Sequence, residues 1–108
     1  MKKLIFLFSL FIAFQAVAQE GIRFRHCSWE EAKAMAKKEK KPIFIDFYTQ
    51  WCGPCLNMAE NIFTLGSVGN FYNDHFVCLK IDAETGEGVE LAKKYEVASF
   101  PTFVFVDR

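Results

Sequence analysis

Ile43-Phe44-Ile45-Asp46-Phe47-Tyr48-Thr49-Gln50-Trp51-Cys52-Gly53-Pro54-Cys55 is the stretch on which the fold turns. Ile43 to Tyr48 is apolar and β-rich except for Asp46. An almost continuous apolar run of that length suits a central strand covered on both faces. A helix should begin at the first cysteine, with Pro54 in its first turn, where a missing N–H costs nothing. Cys52 and Cys55 then lie on one turn, within disulfide reach. Cys52 should be exposed at the helix N-terminus, where unpaired N–H groups and the macrodipole favour a thiolate. Cys55 should be shielded one turn in. The helix is expected from about Gly53 to Phe63, with Cys55, Met58, Ala59 and Ile62 on its inner face. A C-x-x-C pair closes so short a loop that it removes little chain entropy, which points to chemistry rather than a structural staple.

Working towards the N-terminus, Ser28-Trp29-Glu30-Glu31 fits a capping box. Trp29, Ala32, Met35 and Ala36 follow at helical spacing. Lys37, Lys38, Lys40 and Lys41 crowd the helix end, which suits its negative pole, and Pro42 stops it. The basic run reads as a solvated helix end rather than a docking patch. Gly21 to Arg25 is expected as a short first strand. At the start of the chain, Lys2 and Lys3 precede an apolar block from Leu4 to Phe14, broken only by Ser9. Gln15-Ala16-Val17-Ala18 then places small residues where a signal peptidase reads. This is the secretory signal pattern, with cleavage expected after Ala18. Leu4 to Ala18 falls short of the roughly 20 residues a spanning helix needs. Gln19 in place of cysteine argues against a lipoprotein. The predicted organisation is a signal peptide over 1–18 and one small domain over 19–108. Taking Lys2 and Lys3 from 13 basic residues against 13 acidic leaves a slightly negative domain, with nothing to favour nucleic acid or an anionic membrane surface.

Towards the C-terminus, Gly66, Ser67 and Gly69 mark a break, and Val68, Phe71 and Tyr72 suggest one short helical turn. Phe76 to Asp82 reads as a strand and Ala83 to Gly88 as a polar loop. Val89, Leu91, Ala92 and Tyr95 suggest a further helix. Phe100-Pro101-Thr102 introduces a last strand, Phe103 to Val106. Strands and helices alternate throughout, which implies an α/β layer fold with crossover connections. Asp107-Arg108 follows directly on a core strand, where a turn and a pairing edge strand are expected, so the domain reads as cut short.

Two chemistries use a C-x-x-C pair. In thiol–disulfide exchange, Cys52 attacks a substrate disulfide and Cys55 resolves the mixed disulfide. In a zinc site, His75 and Cys78 would complete four ligands. Cys78 lies in an apolar strand, however, and zinc gives no reason for Trp51 or Pro101, so no metal is expected. A non-catalytic redox switch is a further alternative. Cys27 and Cys78 read as buried free thiols, and His26 as a surface residue. From the residues alone, Asp46 reads equally as a base with a raised pKa or as a capped strand-end carboxylate. Pro101 alone reads as a trans strand start.

Ile45-Asp46-Phe47-Tyr48 leading to Trp51-Cys52-Gly53-Pro54-Cys55, with Phe100-Pro101-Thr102 before a last apolar strand, resembles the thioredoxin family. The resemblance covers roughly Ile43 to Val106. The lysine-rich first helix running into Lys41-Pro42-Ile43-Phe44-Ile45-Asp46, and the extra turn around Ser67 to Asn73, resemble the exported thioredoxin-like domains related to the C-terminal domain of the membrane disulfide reductase DsbD. The resemblance implies a thioredoxin fold, a central mixed sheet with flanking helices. It implies Cys52 as nucleophile, Cys55 as resolving cysteine and Asp46 as the buried proton acceptor. It makes Pro101 a cis-proline facing the disulfide and gives Phe100 a backbone for β-type pairing with substrate. Trp51 would flank the nucleophile, and Gly53 and Pro54 would set the stiffness of the loop.

Three departures stand beside it. The family's lysine near the buried aspartate is Cys78 here, the helix-kinking proline is Glu60, and the closing strand and helix are absent from the sequence. Gly-Pro between the cysteines resembles thioredoxin, a reducing couple near roughly −270 mV. The expected activity is therefore reduction of disulfides in exported proteins, with oxidase or isomerase action as the alternative. The expected partners are those substrates and a membrane thiol–disulfide electron donor. No cofactor beyond the Cys52–Cys55 disulfide is expected. A periplasmic or extracellular monomer completes the reading.

Overall fold

The computed structural model describes residues 20–108, so the signal-peptide expectation lies outside the described residues. Seven elements follow in order: α1 Trp29–Glu39, β1 Ile43–Tyr48, α2 Gly53–Asn61, α3 Gly66–His75, β2 Val77–Asp82, α4 Gly88–Lys94 and β3 Thr102–Val106. The sheet has the order β2-β1-β3. β1 pairs parallel with β2 and antiparallel with β3, so the sheet is mixed, as expected for a thioredoxin fold.

Local chemistry sets the ends of α1. Ser28 Oγ accepts from the Glu31 amide at 3.1 Å, and Glu31 Oε1 accepts from the Ser28 amide at 3.3 Å. Both halves of the capping box are therefore formed, which satisfies two otherwise orphaned donors. At the other end Lys40 takes the left-handed conformation and its amide returns to Ala36 O. Pro42 then starts the turn into β1.

β1 is buried along nearly its whole length because helices cover both faces. Its side chains alternate between two cores. Ile43, Ile45 and Phe47 join Val77 and Leu79 of β2 in a cluster with Trp29, Ala32 and Ala36 of α1 and Leu91 and Ala92 of α4. Phe44 joins Phe63 and Cys78 on the opposite face, with Met58 of α2 and Tyr72 of α3 packed against them. Asp46 belongs by alternation to this second face, beneath α2. That is the arrangement that brings a carboxylate under the helix carrying the cysteines.

Four expectations need correction. Gly21 to Arg25 forms no strand, and only Arg25 bridges Leu79. The segment's polar groups find partners outside a ladder. Ile22 N–H donates to Phe63 O at 2.8 Å and Arg25 N–H to Cys78 O at 2.8 Å. The Asn73 side chain accepts from Arg23 N–H and donates to Gly21 O. This clamp also changes the reading of Gly66 to Tyr72. The region is a ten-residue helix, not a single turn. Its glycines do not break it, and Gly69 lets the N-terminal segment lie against it. A Cβ at Gly69 would stand 2.1 Å from Glu20 O.

The third correction concerns the end of α2. The helix stops at Asn61 rather than near Phe63, and Ile62 is exposed instead of inward. The amides of Ile62 and Phe63 both donate to Met58 O, so the chain turns one residue early and delivers Phe63 to the core. Lastly, Cys27 is only half-buried, although Cys78 is fully buried; both are free thiols. His26 is exposed, as expected.

Candidate active site

Cys52 is the N-cap of α2 and Pro54 sits in the first turn, the placement expected from the sequence. Cys52 and Cys55 are joined in a disulfide with Cα atoms 5.3 Å apart. Cys52 Sγ also accepts from the Cys55 amide at 3.1 Å. That amide is one of the four at a helix start with no intrahelical partner. It points its partial positive charge at the sulfur that would carry negative charge after reduction.

Exposure differs from expectation. Cys52 is 7% exposed and Cys55 4%, so neither sulfur is open to solvent from all sides. The residues around them are the exposed ones: Trp51, at 71%, with Gly53 and Pro54. Trp51 and Gln50 fold forward over the loop after β2. Trp51 Nε1 donates to Glu84 Oε1 at 2.6 Å, and Gln50 Nε2 donates to Asp82 Oδ2 at 3.1 Å. Asp82 Oδ1 accepts from the Glu84 amide, so the two acceptors are held together.

The Phe100–Pro101 peptide bond is cis. The resemblance implied this and the residues alone did not. The Phe100 ring meets the Trp51 indole edge-on, centroids 6.1 Å apart, which brings the segment before β3 beside the cysteine loop.

Asp46 is 1% exposed. Burial pushes its carboxyl up to about 6, and the Lys80 ammonium opposes the shift. Among the described residues its Oδ1 has no hydrogen-bond partner, and neither does the buried Thr49 Oγ1. A cleft of about 420 Å³ opens beside the disulfide, lined by Thr49, Trp51, Cys52, Cys55, Ala59 and Lys80 among others. The expectation that Asp46 lacks a lysine is thus corrected. Cys78 does stand in β2 where the resemblance places it, but Lys80 stands two residues further along the same face, in register with Asp46.

The zinc set does not assemble. Cys52 and Cys55 are bonded to each other. His75 stacks on Phe71 with centroids 4.3 Å apart, and its Nδ1 lies 2.7 Å from Phe71 O. Cys78 is buried among aromatic rings, and burial pushes its thiol up to about 11. Among the described residues no group of three or more His, Cys, Asp or Glu side chains is placed to hold a metal ion.

Sequence reasoning missed Thr49, Lys80, Asp82 and Glu84. Lys80 left one visible sign, a charge interrupting the otherwise apolar run Phe76 to Ile81. Which residue of β1 it meets depends on strand register, which the sequence does not print. Glu84 sat in a loop whose polarity gave no hint of a partner 33 residues away.

A mixed sheet, a C-x-x-C disulfide capping the helix that leaves its central strand, and a cis-proline segment beside it together define a thioredoxin fold with a disulfide centre. The family model of thioredoxin-like proteins matches residues 24–108, and the chain belongs to that family. Thioredoxin-1 of Drosophila yakuba is 42% identical over 74 residues, which is 68% of this chain and 64% of that protein. The chain thus spans less than two thirds of that relative's length. The solution structure of a proposed disulphide-isomerase from Bacteroides thetaiotaomicron is similar at a TM-score of 0.72 and 48% identity, covering 80% of this chain and 71% of that one. A structure of the DsbH oxidoreductase is similar at a TM-score of 0.73 and 25% identity, covering 86% and 70%.

Proposed function

We propose that the chain is a thiol–disulfide oxidoreductase that reduces disulfides in exported proteins, working as a dithiol–disulfide cycle between Cys52 and Cys55. The observation that carries this reading is the Cys55 amide directed at Cys52 Sγ from the open end of α2. A helix N-terminus lowers the pKa of a thiol there, and the thiolate is the attacking species.

In the cycle, the Cys52 thiolate attacks one sulfur of a substrate disulfide. One substrate thiolate leaves and takes a proton from water, and a mixed disulfide remains. Cys55 passes its proton to the Asp46 carboxylate and attacks Cys52 Sγ. The bond from Cys52 to substrate breaks, and the second substrate thiolate departs and is protonated. Substrate gains two electrons and two protons, and the chain ends as the Cys52–Cys55 disulfide. Trp51, Gly53, Pro54, Phe100 and Pro101 form the face that meets the substrate. No further cofactor enters, since the two sulfurs hold the electrons.

Export follows from the leader pattern, and a reductase in an oxidising compartment requires a membrane thiol–disulfide donor to restore its dithiol. Resemblance to the DsbD-related domains supports that pairing. A second reading, disulfide isomerisation, is favoured by the similarity to the proposed disulphide-isomerase.

The test is substrate trapping. With Cys55→Ser, the resolving attack is removed and mixed disulfides through Cys52 should accumulate with several exported proteins and one membrane donor. Recovery of none, with the Cys52 thiol titratable by alkylation, overturns the reading. Catalysed reduction of a model protein disulfide, set against recovery of activity from a scrambled one, separates reductase from isomerase.

A further inference from the structure

Thr49 follows β1 and opens the turn into the cysteine loop. Its carbonyl accepts from the Cys52 amide at 3.4 Å. A turn closed in that way brings its first and fourth residues within about 7 Å at the Cα atoms. Thr49 is 2% exposed and lines the cleft together with Cys52 and Cys55. A threonine that opens a turn often directs its hydroxyl to the backbone two residues on. Here that bond is not made, and Thr49 Oγ1 has no hydrogen-bond partner among the described residues. We propose that the Thr49 hydroxyl is a second donor to the Cys52 sulfur, unpaired while the disulfide is closed and engaged once reduction leaves a thiolate there. This inference rests on the oxidoreductase reading and adds Thr49 to the residues that set how readily the disulfide opens.

The change of partner follows from the chemistry of sulfur. A disulfide sulfur is a poor acceptor, whereas a thiolate draws charge-assisted hydrogen bonds. When a dithiol donor reduces the pair, the Cys52–Cys55 bond opens and takes up two electrons and two protons, and the donor leaves as a disulfide. The Cys52 proton then passes to water and the charge stays on Sγ. Cys52 is 7% exposed, so solvent reaches that charge from few directions. The Cys55 amide already points at Sγ in the closed form. The Thr49 hydroxyl adds the next donor. A buried hydroxyl without a partner destabilises the closed form, and the same hydroxyl is satisfied in the open form. Both effects favour the dithiol, and stabilising the reduced form makes a couple more oxidising.

The other groups at the cleft do not take this part. Asp46 Oδ1 is unpaired as well, and no hydrogen bond joins it to Thr49. Its carboxylate has no proton to donate. The Lys80 ammonium lies over the Tyr48 ring, 4.9 Å from its centroid. Gln50 donates to Asp82 and the Trp51 indole to Glu84. The first turn of α2 carries no charged side chain beside the two sulfurs. β3 places Phe103 opposite Asp46, and the segment before it brings Phe100 and Pro101, all uncharged.

The test is the equilibrium of the Cys52–Cys55 disulfide with dithiothreitol at about pH 8, where an activated thiol is ionised. Thr49→Val keeps the shape of the side chain and removes the hydroxyl. It should make the disulfide roughly five- to twentyfold harder to reduce, and Thr49→Ser should return it to within about twofold of wild type. The pH midpoint for alkylation of Cys52 should rise in Thr49→Val. The redox gap should narrow towards acid, where Cys52 keeps its proton and is a weaker acceptor. By linkage, urea unfolding of Thr49→Val should show the oxidised chain gaining on the reduced chain by the same factor, a split that packing common to both forms does not give. Thr49→Ala, which leaves room at the site, should show the same redox shift. An unchanged equilibrium in both Thr49→Val and Thr49→Ala, or a shift that Thr49→Ser does not reverse, overturns the proposal. So does a shift that disappears in an Asp46→Asn background, since the hydroxyl would then serve the carboxylate. None of these readouts needs a protein substrate. A wild-type chain that equilibrates with dithiothreitol but turns over no protein disulfide therefore overturns the proposed function separately.

Discussion

Trp51 Nε1 and Glu84 Oε1 are 2.6 Å apart, a hydrogen bond that ties the residue before the disulfide to the loop after β2. With the Phe100 ring edge-on to it, the indole is held in place while largely exposed. On the proposed cycle, a large rigid aromatic beside Cys52 would give a substrate chain something to pack on. Glu84→Ala removes the acceptor. An exposed bond of this kind is worth roughly 0.5–1 kcal/mol, so KM for a protein disulfide should rise roughly two- to fivefold with kcat near wild type. Fluorescence anisotropy of Trp51, in a Trp29→Phe background, should fall. If both are unchanged, Phe100 packing alone holds the ring.

Ser28 and Glu31 close the start of α1 reciprocally, and α1 contributes Trp29, Ala32 and Ala36 to the larger core. Ser28→Ala should destabilise the domain by about 1 kcal/mol, and Ser28→Asp should restore most of it. The urea midpoint should fall with an unchanged slope, since the surface exposed on unfolding is the same. A changed slope would mean that α1 unfolds separately.

Lys40 ends α1 in the left-handed region, at φ 56° and ψ 45°, with its side chain exposed. A side chain there sits too close to its own carbonyl, at a cost of roughly 1 kcal/mol that glycine avoids. Lys40→Gly should therefore stabilise the domain by about 0.5–1 kcal/mol, and Lys40→Ala should not. Thermal unfolding midpoints of the two variants decide it; equal shifts would point to the lost charge instead.

Most of this layout could be read from residue chemistry. The strand into the cysteine motif, the capping box, the stop at Pro42 and the helix carrying Cys55 all rest on local rules, and each is present. The misses share a cause, because they depend on where separate segments meet. Gly21 to Arg25 looked like a strand, but the Asn73 side chain and the carbonyls of Phe63 and Cys78 take up its backbone groups. Gly66 and Gly69 looked like breaks because glycine is a poor helix former. At Gly69 the lack of a Cβ serves contact with Glu20 and Gly21 instead. Asp46 stood out as the one charge in an apolar run, but only the family resemblance chose the proton-acceptor reading over a capped strand-end carboxylate. Its neighbour Lys80 required the register of β1 against β2, and cross-strand register between segments more than thirty residues apart is a tertiary fact.

Asp46 also links the site to stability. Burial raises its carboxyl from 3.8 to about 6, while the unfolded chain titrates near the ordinary value. Between those two values the native chain holds a proton that the unfolded chain has already lost. Stability therefore falls as pH rises through that window, and the loss is complete above about pH 7. A shift of this size corresponds to roughly 3 kcal/mol. Asp46→Asn has no charge to desolvate, although its amide also lacks a ready partner, which offsets part of the gain. At about pH 7.5 the variant should be more stable than wild type by roughly 1–3 kcal/mol, and the difference should close towards pH 4. Urea unfolding of the oxidised proteins across that range measures it. A difference that is constant with pH, or that widens towards acid, would rule out the ionised carboxylate as its source. On the proposed cycle the same variant should resolve mixed disulfides slowly, because Cys55 would lose its proton acceptor. Gained stability and lost turnover would then come from one carboxyl group, which is what a buried base kept for chemistry rather than for packing requires.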